Sequence, residues 1–311
     1  MSEPASALPA LVPRAGTELD RLKRLLLAGM AAPNSRRAYA RALTDFAEWY
    51  RREARGPFSK ILVEEYRTHC ATLGLAPSTI NLRLSAIRKL AAQASEAGLL
   101  PTDSASAIRS LKGARKLGVR AGNWLTKEQA SCLLHAPDRE TLKGKRDRAL
   151  LALLIGCGLR RSELANLGFE NIQQREGRWV LPDLVGKGGR VRTVPLPTWV
   201  KCLLDEWAAA ASLSEGKVFR PVNKKGQVWG EGITAKVVWW VVRRYAKQAA
   251  IPKLAPHDLR RTCAKLCRAA GGDLEQIQLL LGHASIQTTE QYLGTRQNLV
   301  EAVNDRLGLD L

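Results

Sequence analysis

Three short segments carry polar residues at spacings that let them act together. They are Gly158-Leu159-Arg160-Arg161-Ser162-Glu163-Leu164, His257-Asp258-Leu259-Arg260, and Leu281-Gly282-His283 with Tyr292 nine residues on. His257 and Arg260 are three apart on an expected helix, so both project from one face. Glu163 follows Arg160 by three and can hold that guanidinium's orientation from behind. Lys187 sits in Gly186-Lys187-Gly188-Gly189, a hairpin turn from which a long cation can reach across a site. The set is two guanidiniums, two imidazoles, an ammonium and a phenol, with no cluster of acids for a metal. Guanidinium forks match the oxygens of a phosphodiester and can hold the added charge of a pentavalent transition state. A free phenol, ionising near about pH 10, is a poor nucleophile at neutral pH. Flanking cations and a hydrogen-bonded imidazole are expected to favour its ionised form. A lysine at the hairpin tip could protonate a leaving 5′ oxygen. This inventory suits phosphoryl transfer from DNA to a tyrosine, with no metal, nucleotide or small-molecule cofactor.

Each residue alone has a plainer reading. A lone tyrosine is usually half-buried packing, a lone histidine a satisfied core or helix-end residue, and a lysine among glycines solvated turn chemistry. Gly-Lys-Gly lacks the Lys-Ser or Lys-Thr of a phosphate loop. The joint occurrence of all six, in order, favours the chemical reading. Arg160 and Arg161 are adjacent, as are Arg260 and Arg261, and only one of each pair can face a site. The spacing to His257 favours Arg260.

The elements that must position these residues follow from periodicity and breakers. Residues 1–16 are rich in Ala and Pro and are expected to be disordered. Residues 17–111 read as helices. Asn34 or Ser35 is expected to cap one that carries Tyr39, Leu43, Phe46 and Tyr50 on a single face. Pro77 and Ser78 open another, with Ile80, Leu84, Ile87 and Ala91 inward and Arg83, Arg88 and Lys89 outward, ended by Gly98. Arg36, Arg37, Arg83, Arg88 and Lys89 are the candidate DNA contacts of this half. Residues 112–123 are basic, aperiodic and linker-like. Thr126 caps the first helix of the second domain, and Arg146–Leu154 is a helix that turns apolar. Arg178–Leu184 and Val191–Leu196 are two strands around the Gly-Lys-Gly-Gly turn. Helices resume from Thr234, with breaks at Pro252, Gly271-Gly272 and Gly282. Gly282 ends the helix that follows Asp273, so His283 lies at its exit, and Ser285 caps the short helix bearing Tyr292.

Composition narrows the partner. The chain has 311 residues, 45% of them hydrophobic, which suits two domains with a core in each. Against 29 Asp and Glu stand 49 Lys and Arg, a net charge of +20. Such a surface attracts polyanions, nucleic acid first among them. A membrane is disfavoured, since no apolar run approaches the roughly 18 residues of a spanning helix, and the start does not read as a signal peptide. Six scattered cysteines without a CxxC pair fit free thiols in a reducing cytoplasm. Cys132, Cys157 and Cys202 are expected in the core.

These segments resemble the tyrosine recombinase, or phage-type integrase, family in its Xer-like form. Its pattern Arg…Lys…His-x-x-Arg…His…Tyr falls on Arg160, Lys187, His257, Arg260, His283 and Tyr292. This pattern is what chooses Arg160; Arg161 and Arg261 are then expected at neighbouring phosphates. The Gly-Leu-Arg-x-x-Glu-Leu, Gly-Lys-Gly and Leu-Gly-His motifs stand in the expected order. The likeness covers the whole second domain; the helical first half is similar to the family's core-binding domain, with a less specific match. The resemblance implies a mainly α fold with a small β-sheet (α+β). A helical, SAM-like core-binding domain (17–111), a linker (112–123) and a catalytic domain (124–295) would form a C-shaped clamp on double-stranded DNA. A C-terminal helix (296–311) carrying Leu299, Val300, Val303 and Leu307 would pack on its own domain or on a neighbouring subunit of a homotetramer. It also implies roles. Tyr292 is the nucleophile forming a 3′-phosphotyrosyl bond, and Arg160, Arg260 and His283 contact the phosphate. Lys187 is the general acid, His257 assists proton transfer or phosphate binding, and Glu163 supports from behind. Integration, excision, dimer resolution and transposition all use this chemistry, in a cytoplasmic protein acting at the bacterial nucleoid and, for some relatives, within a mobile element. Two rivals share features: a type IB topoisomerase, which rejoins within one duplex, and a non-catalytic DNA-binding accessory protein, which needs no Tyr292.

Overall fold

The computed structural model describes residues 16–52, 56–115, 123–186, 189–251 and 253–294. The chain forms two compact units, Met1–Val119 and Arg120–Leu311.

The first unit is a helical bundle of α1 (Gly16–Ala28), α2 (Pro33–Arg51), α3 (Lys60–Thr72), α4 (Pro77–Glu96) and α5 (Thr102–Arg109). Leu43, Phe46 and Tyr50 of α2 face Leu62 and Tyr66 of α3 and Leu84 and Ile87 of α4 in one buried cluster. Aromatic rings centre it, with Phe46 meeting Tyr66 edge-on at 5.0 Å. The start of α2 differs from the sequence expectation. Its N-cap is Ala32, without a side-chain cap, because Pro33 takes the first turn and sets φ there, ahead of Asn34 and Ser35.

Two of the outward arginines turn inward. Arg83 lies three residues after Ile80 and so borders the buried face of α4. It pairs with Asp45 and donates to the Tyr66 hydroxyl at 3.0 Å. Arg88, four after Leu84, donates to the Leu111 carbonyl. Arg36, Arg37 and Lys89 are exposed, as expected of solvent-facing cations.

The second unit is built around α7 (Leu142–Gly156), which follows α6 (Lys127–His135) and precedes α8 (Arg161–Asn166). Thr126 caps α6, its side chain accepting from Gln129 N while Gln129 bonds back. Leu150 to Leu154 are all fully buried, so the C-terminal half of α7 is apolar on every side and runs through the core. An antiparallel sheet comes next, β1 (Gln173–Arg175), β2 (Arg178–Val185) and β3 (Val191–Pro195), in the order β1-β2-β3. β1 escaped the sequence reading because its three residues, Gln-Gln-Arg, are all exposed and give no apolar alternation. The helices α9 (Thr198–Ala210), α10 (Ala235–Gln248), α11 (Pro256–Ala269), α12 (Leu274–Leu281) and α13 (Ile286–Leu293) complete the unit. The expected terminal helix at 296–311 lies outside the described residues. So does most of the expected N-terminal tail.

Of the cysteines expected inside, Cys157 is buried, but Cys132 and Cys202 are exposed. They fall on the outer faces of α6 and α9, whose inward positions are Ala130 and Leu133, and Val200 and Leu204. No helix among the described residues is long and apolar enough to cross a membrane.

Candidate active site

Four chain segments converge at one end of α7. The first is the start of α8. Arg160 is its N-cap residue, and Glu163, three on, bonds back to the Arg160 amide at 2.8 Å. The same carboxylate takes the Arg160 guanidinium at 2.6 Å. Arg192 of β3 then donates to both oxygens, at 3.0 and 2.8 Å. Burial alone would raise the Glu163 carboxyl, but the hydrogen bonds from Arg192 and the Arg160 amide hold it down at about 2.

The second segment is the first turn of α11. Arg260 is 1% exposed, and its guanidinium donates to the carbonyls of Gly158 and Leu281. Burial, with the charges of Arg160 and Arg192, brings it down to about 10, still cationic at neutral pH. His257 stands one turn before it. Burial and the neighbouring Arg261 and Arg260 keep its imidazole below the usual range.

The third and fourth segments are the exit of α12 and helix α13. Gly282 closes α12 in the left-handed conformation, φ 61°, which glycine adopts without a side-chain penalty. His283 follows, its Nδ1 3.0 Å from the hydroxyl of the fully buried Thr289. Burial, then Arg260 and Arg160, lowers His283 to about 4, so it is neutral at physiological pH. Ser285 caps α13 by accepting from Thr288 N. Tyr292 lies on that helix, edge-on to both imidazoles, with ring centres 5.3 Å from His257 and 5.0 Å from His283.

The phenol is not ionised here. Its hydroxyl donates to the His257 carbonyl at 3.1 Å. Burial outweighs the pull of Arg260 and Arg261 and pushes it up to about 12. The expectation that flanking cations favour the phenolate is therefore reversed: desolvation is the larger effect. Two neutral imidazoles beside a protonated phenol are instead an arrangement for handing a proton over.

Lys187 and Gly188 lie outside the described residues. The hairpin that carries them starts beside the site, because a Cβ on Gly186 would fall 2.9 Å from Arg160 Nη1. Arg160, Arg161, Ser162, Trp239, His257 and Arg260 line a common cavity of about 410 Å³. Arg160, His257, Arg260, His283, Tyr292 and Glu163 are thus gathered in one place, while Arg36, Arg37, Arg83, Arg88 and Lys89 belong to the other unit.

Two contributors, Arg192 and Trp239, went unread in the sequence, and a third, Arg261, was read in another role. Arg192 had a signal: it alternates with Val194 on the inward face of β3, and an inward guanidinium demands a buried partner. Arg261, expected at a neighbouring phosphate, lies against Tyr292. Its guanidinium sits 4.6 Å over the Tyr292 ring and its Nε donates to the Tyr292 carbonyl at 3.2 Å. Trp239 reaches the cavity from α10, which no local motif announces.

Known proteins share this architecture. Residues 123–298 match the model of the phage integrase family, and residues 20–98 match that of the phage integrase N-terminal SAM-like domain. The tyrosine recombinase XerC of Thermodesulfovibrio yellowstonii is 31% identical over 266 residues, covering 82% of this chain and 84% of that one. XerD of Vibrio cholerae is 30% identical over 273 residues, covering 84% and 85%. Among solved structures, XerH recombinase in a post-cleavage complex with palindromic difH aligns with a TM-score of 0.67 at 21% identity, covering 91% of this chain and 82% of that one. A lambda integrase dimer on a COC′ core site aligns with a TM-score of 0.67 at 16% identity, covering 88% and 75%. The chain belongs to the phage integrase family, the tyrosine recombinases.

Proposed function

We propose that the protein is a site-specific DNA recombinase that cuts and rejoins strands through Tyr292. The phenolic oxygen attacks a phosphorus, the bond to the 5′ oxygen breaks, and a 3′-phosphotyrosyl link is left. Arg160, Arg260 and His283 hold the phosphate and its transition-state charge. A neutral imidazole, His257 or His283, takes the phenol's proton, and Lys187 gives one to the leaving 5′ oxygen. A 5′-hydroxyl from a partner duplex then attacks the link and frees the tyrosine. The phosphodiester's energy is kept in the link, so neither ATP nor metal enters.

The observation carrying this reading is Tyr292 set between two imidazoles, 5.3 and 5.0 Å away, beside Arg260 and Arg261. The relatives' names favour recombination over relaxation of a single duplex or passive binding. DNA-bound relatives of the same fold, one of them a dimer, support double-stranded DNA as the partner. Within this reading residues 17–111 bind DNA, 112–123 link and 124–295 catalyse. A homotetramer pairs two sites, in a cytoplasmic, nucleoid-associated protein.

The test is a nicked suicide duplex cut from DNA flanking the gene, first shown by footprinting to be bound. A covalent protein–DNA band in chelator, absent from Tyr292→Phe, is expected. No band on a protected fragment would turn the reading to an accessory DNA-binding protein.

A further inference from the structure

Arg192 ties two of the converging segments, the start of α8 and the exit of α12, to the strand that carries it. It lies on the inward face of β3 with its side chain 6% exposed. All three guanidinium nitrogens are engaged. Nη1 and Nη2 bind the two oxygens of Glu163 at 3.0 and 2.8 Å, and Nε donates to the Leu280 carbonyl at 3.0 Å. Glu163 in turn grips Arg160 through both its amide and its guanidinium. Leu280 stands at the end of α12, just ahead of the turn that delivers His283. Packing tightens this link: a Cβ on Gly282 would fall 2.8 Å from Arg192 Cδ. Arg192 is also five residues from Lys187 on the same hairpin, whose neck is closed by Gly186 N donating to the Arg190 carbonyl at 2.7 Å.

We infer that Arg192 is a positioning residue for strand transfer, fixing Arg160 through Glu163 and fixing the His283 turn through the Leu280 carbonyl. With all its nitrogens spent inside the protein, it has no call to touch DNA. Its effect is on direction: Glu163 locked from one side presents Arg160 to the cavity in one orientation. The inference rests on the reading above, in which Arg160 serves the scissile phosphate. A lysine at this position keeps the charge but has a single nitrogen, so it cannot hold the carboxylate fork and the Leu280 carbonyl together.

The test compares Arg192→Lys and Arg192→Gln with the parent in single-turnover formation of the covalent complex, at saturating nicked duplex. Two substrates are used, one with a normal scissile phosphodiester and one with a methylphosphonate. The methylphosphonate lacks one anionic oxygen and so asks less of Arg160. The expected loss on the phosphodiester is about 100-fold, the scale of a small misplacement of a catalytic group. On the methylphosphonate the loss should shrink to below about 10-fold, with duplex affinity within about 3-fold of the parent. The ratio of the two rates is taken within one preparation, so the share of folded protein cancels. Equal losses on both substrates would mean that Arg192 only supports the fold, and unchanged rates would mean that it positions nothing; either result overturns the inference. Tyr292→Phe run alongside separates the two levels: a covalent band that persists in it sinks the underlying reading, whereas its disappearance leaves the Arg192 comparison to stand or fall alone.

Discussion

Replacing Glu163 by glutamine tests how much the buried charge network contributes. The carboxylate is 6% exposed and receives the Arg160 amide, the Arg160 guanidinium and both terminal nitrogens of Arg192. A glutamine has the same shape but one acceptor oxygen, and its amide nitrogen would point donor against donor. Arg192, equally buried, would be left without a counter-charge. Removing one partner of a buried ion pair costs about 3–5 kcal/mol. For a unit of this size each kcal/mol moves the melting midpoint by about 2–4 °C, so a fall of roughly 6–20 °C is expected at pH 7. The pH dependence is a second handle. Glu163 titrates at about 2 in the folded protein against an ordinary 4.5. Its folded value is lowered, so its contribution is complete above 4.5 and is lost as pH falls toward 2. The gap between parent and Glu163→Gln should therefore stay constant from neutrality down to about pH 5 and close only below that. Differential scanning calorimetry at a series of pH values reads both effects. A Glu163→Gln midpoint within about 2 °C of the parent at pH 7 would refute the argument, since it would place the ion-pair network near zero net value.

Other expectations follow from the same geometry. His283, at about 4 rather than 6.5, should remain neutral in the DNA-free protein, and stability drawn from it is present above 6.5 and lost as pH falls toward 4; an NMR titration of its ring that gave a midpoint at or above 6.5 would contradict this. Gly282→Ala must adopt φ 61° and push its Cβ against Arg192; a cost of at least about 1–2 kcal/mol is expected from the backbone alone, read by thermal melting, and a variant as stable as the parent would contradict it. Arg83→Ala should lower the melting point of the first unit yet leave the salt dependence of DNA binding unchanged, because Arg83 is spent on Asp45 and Tyr66. Arg36→Ala or Arg37→Ala should instead lower the slope of log affinity against log salt by about 1 each, and the reverse pattern would mean the two classes of arginine are misassigned.

What could be read from the sequence was what local pattern determines. Thr126, Gly282 and Ser285 announce helix ends by their own chemistry, and each does so in the structure. The two longer strands around Gly186–Gly189 show themselves by alternation. The grouping of Arg160, His257, Arg260, His283 and Tyr292 was legible because short motifs carry it. What long-range packing determines was harder to read. Whether Arg83 faces water or Asp45 depends on where α2 lies against α4. Whether Tyr292 is a phenol or a phenolate depends on how much water its surroundings exclude, and no spacing records that. Arg192 lay between these cases: its place in the strand alternation marks it as inward, but its partner is 29 residues away in the chain.

The anchors of this site share a property that bears on how its sequence can change. Arg260 ends on the oxygens of Gly158 and Leu281, Arg192 on that of Leu280, Arg261 on that of Tyr292, and the Tyr292 hydroxyl on that of His257. Each acceptor is a main-chain carbonyl, present whatever side chain that residue bears. Leucines 280 and 281 can therefore drift among apolar types without removing a single acceptor. A one-residue insertion or deletion between Leu274 and His283 would instead rotate those carbonyls by about 100° around the helix and take one acceptor each from Arg260 and Arg192. The site is tolerant of spelling and intolerant of length.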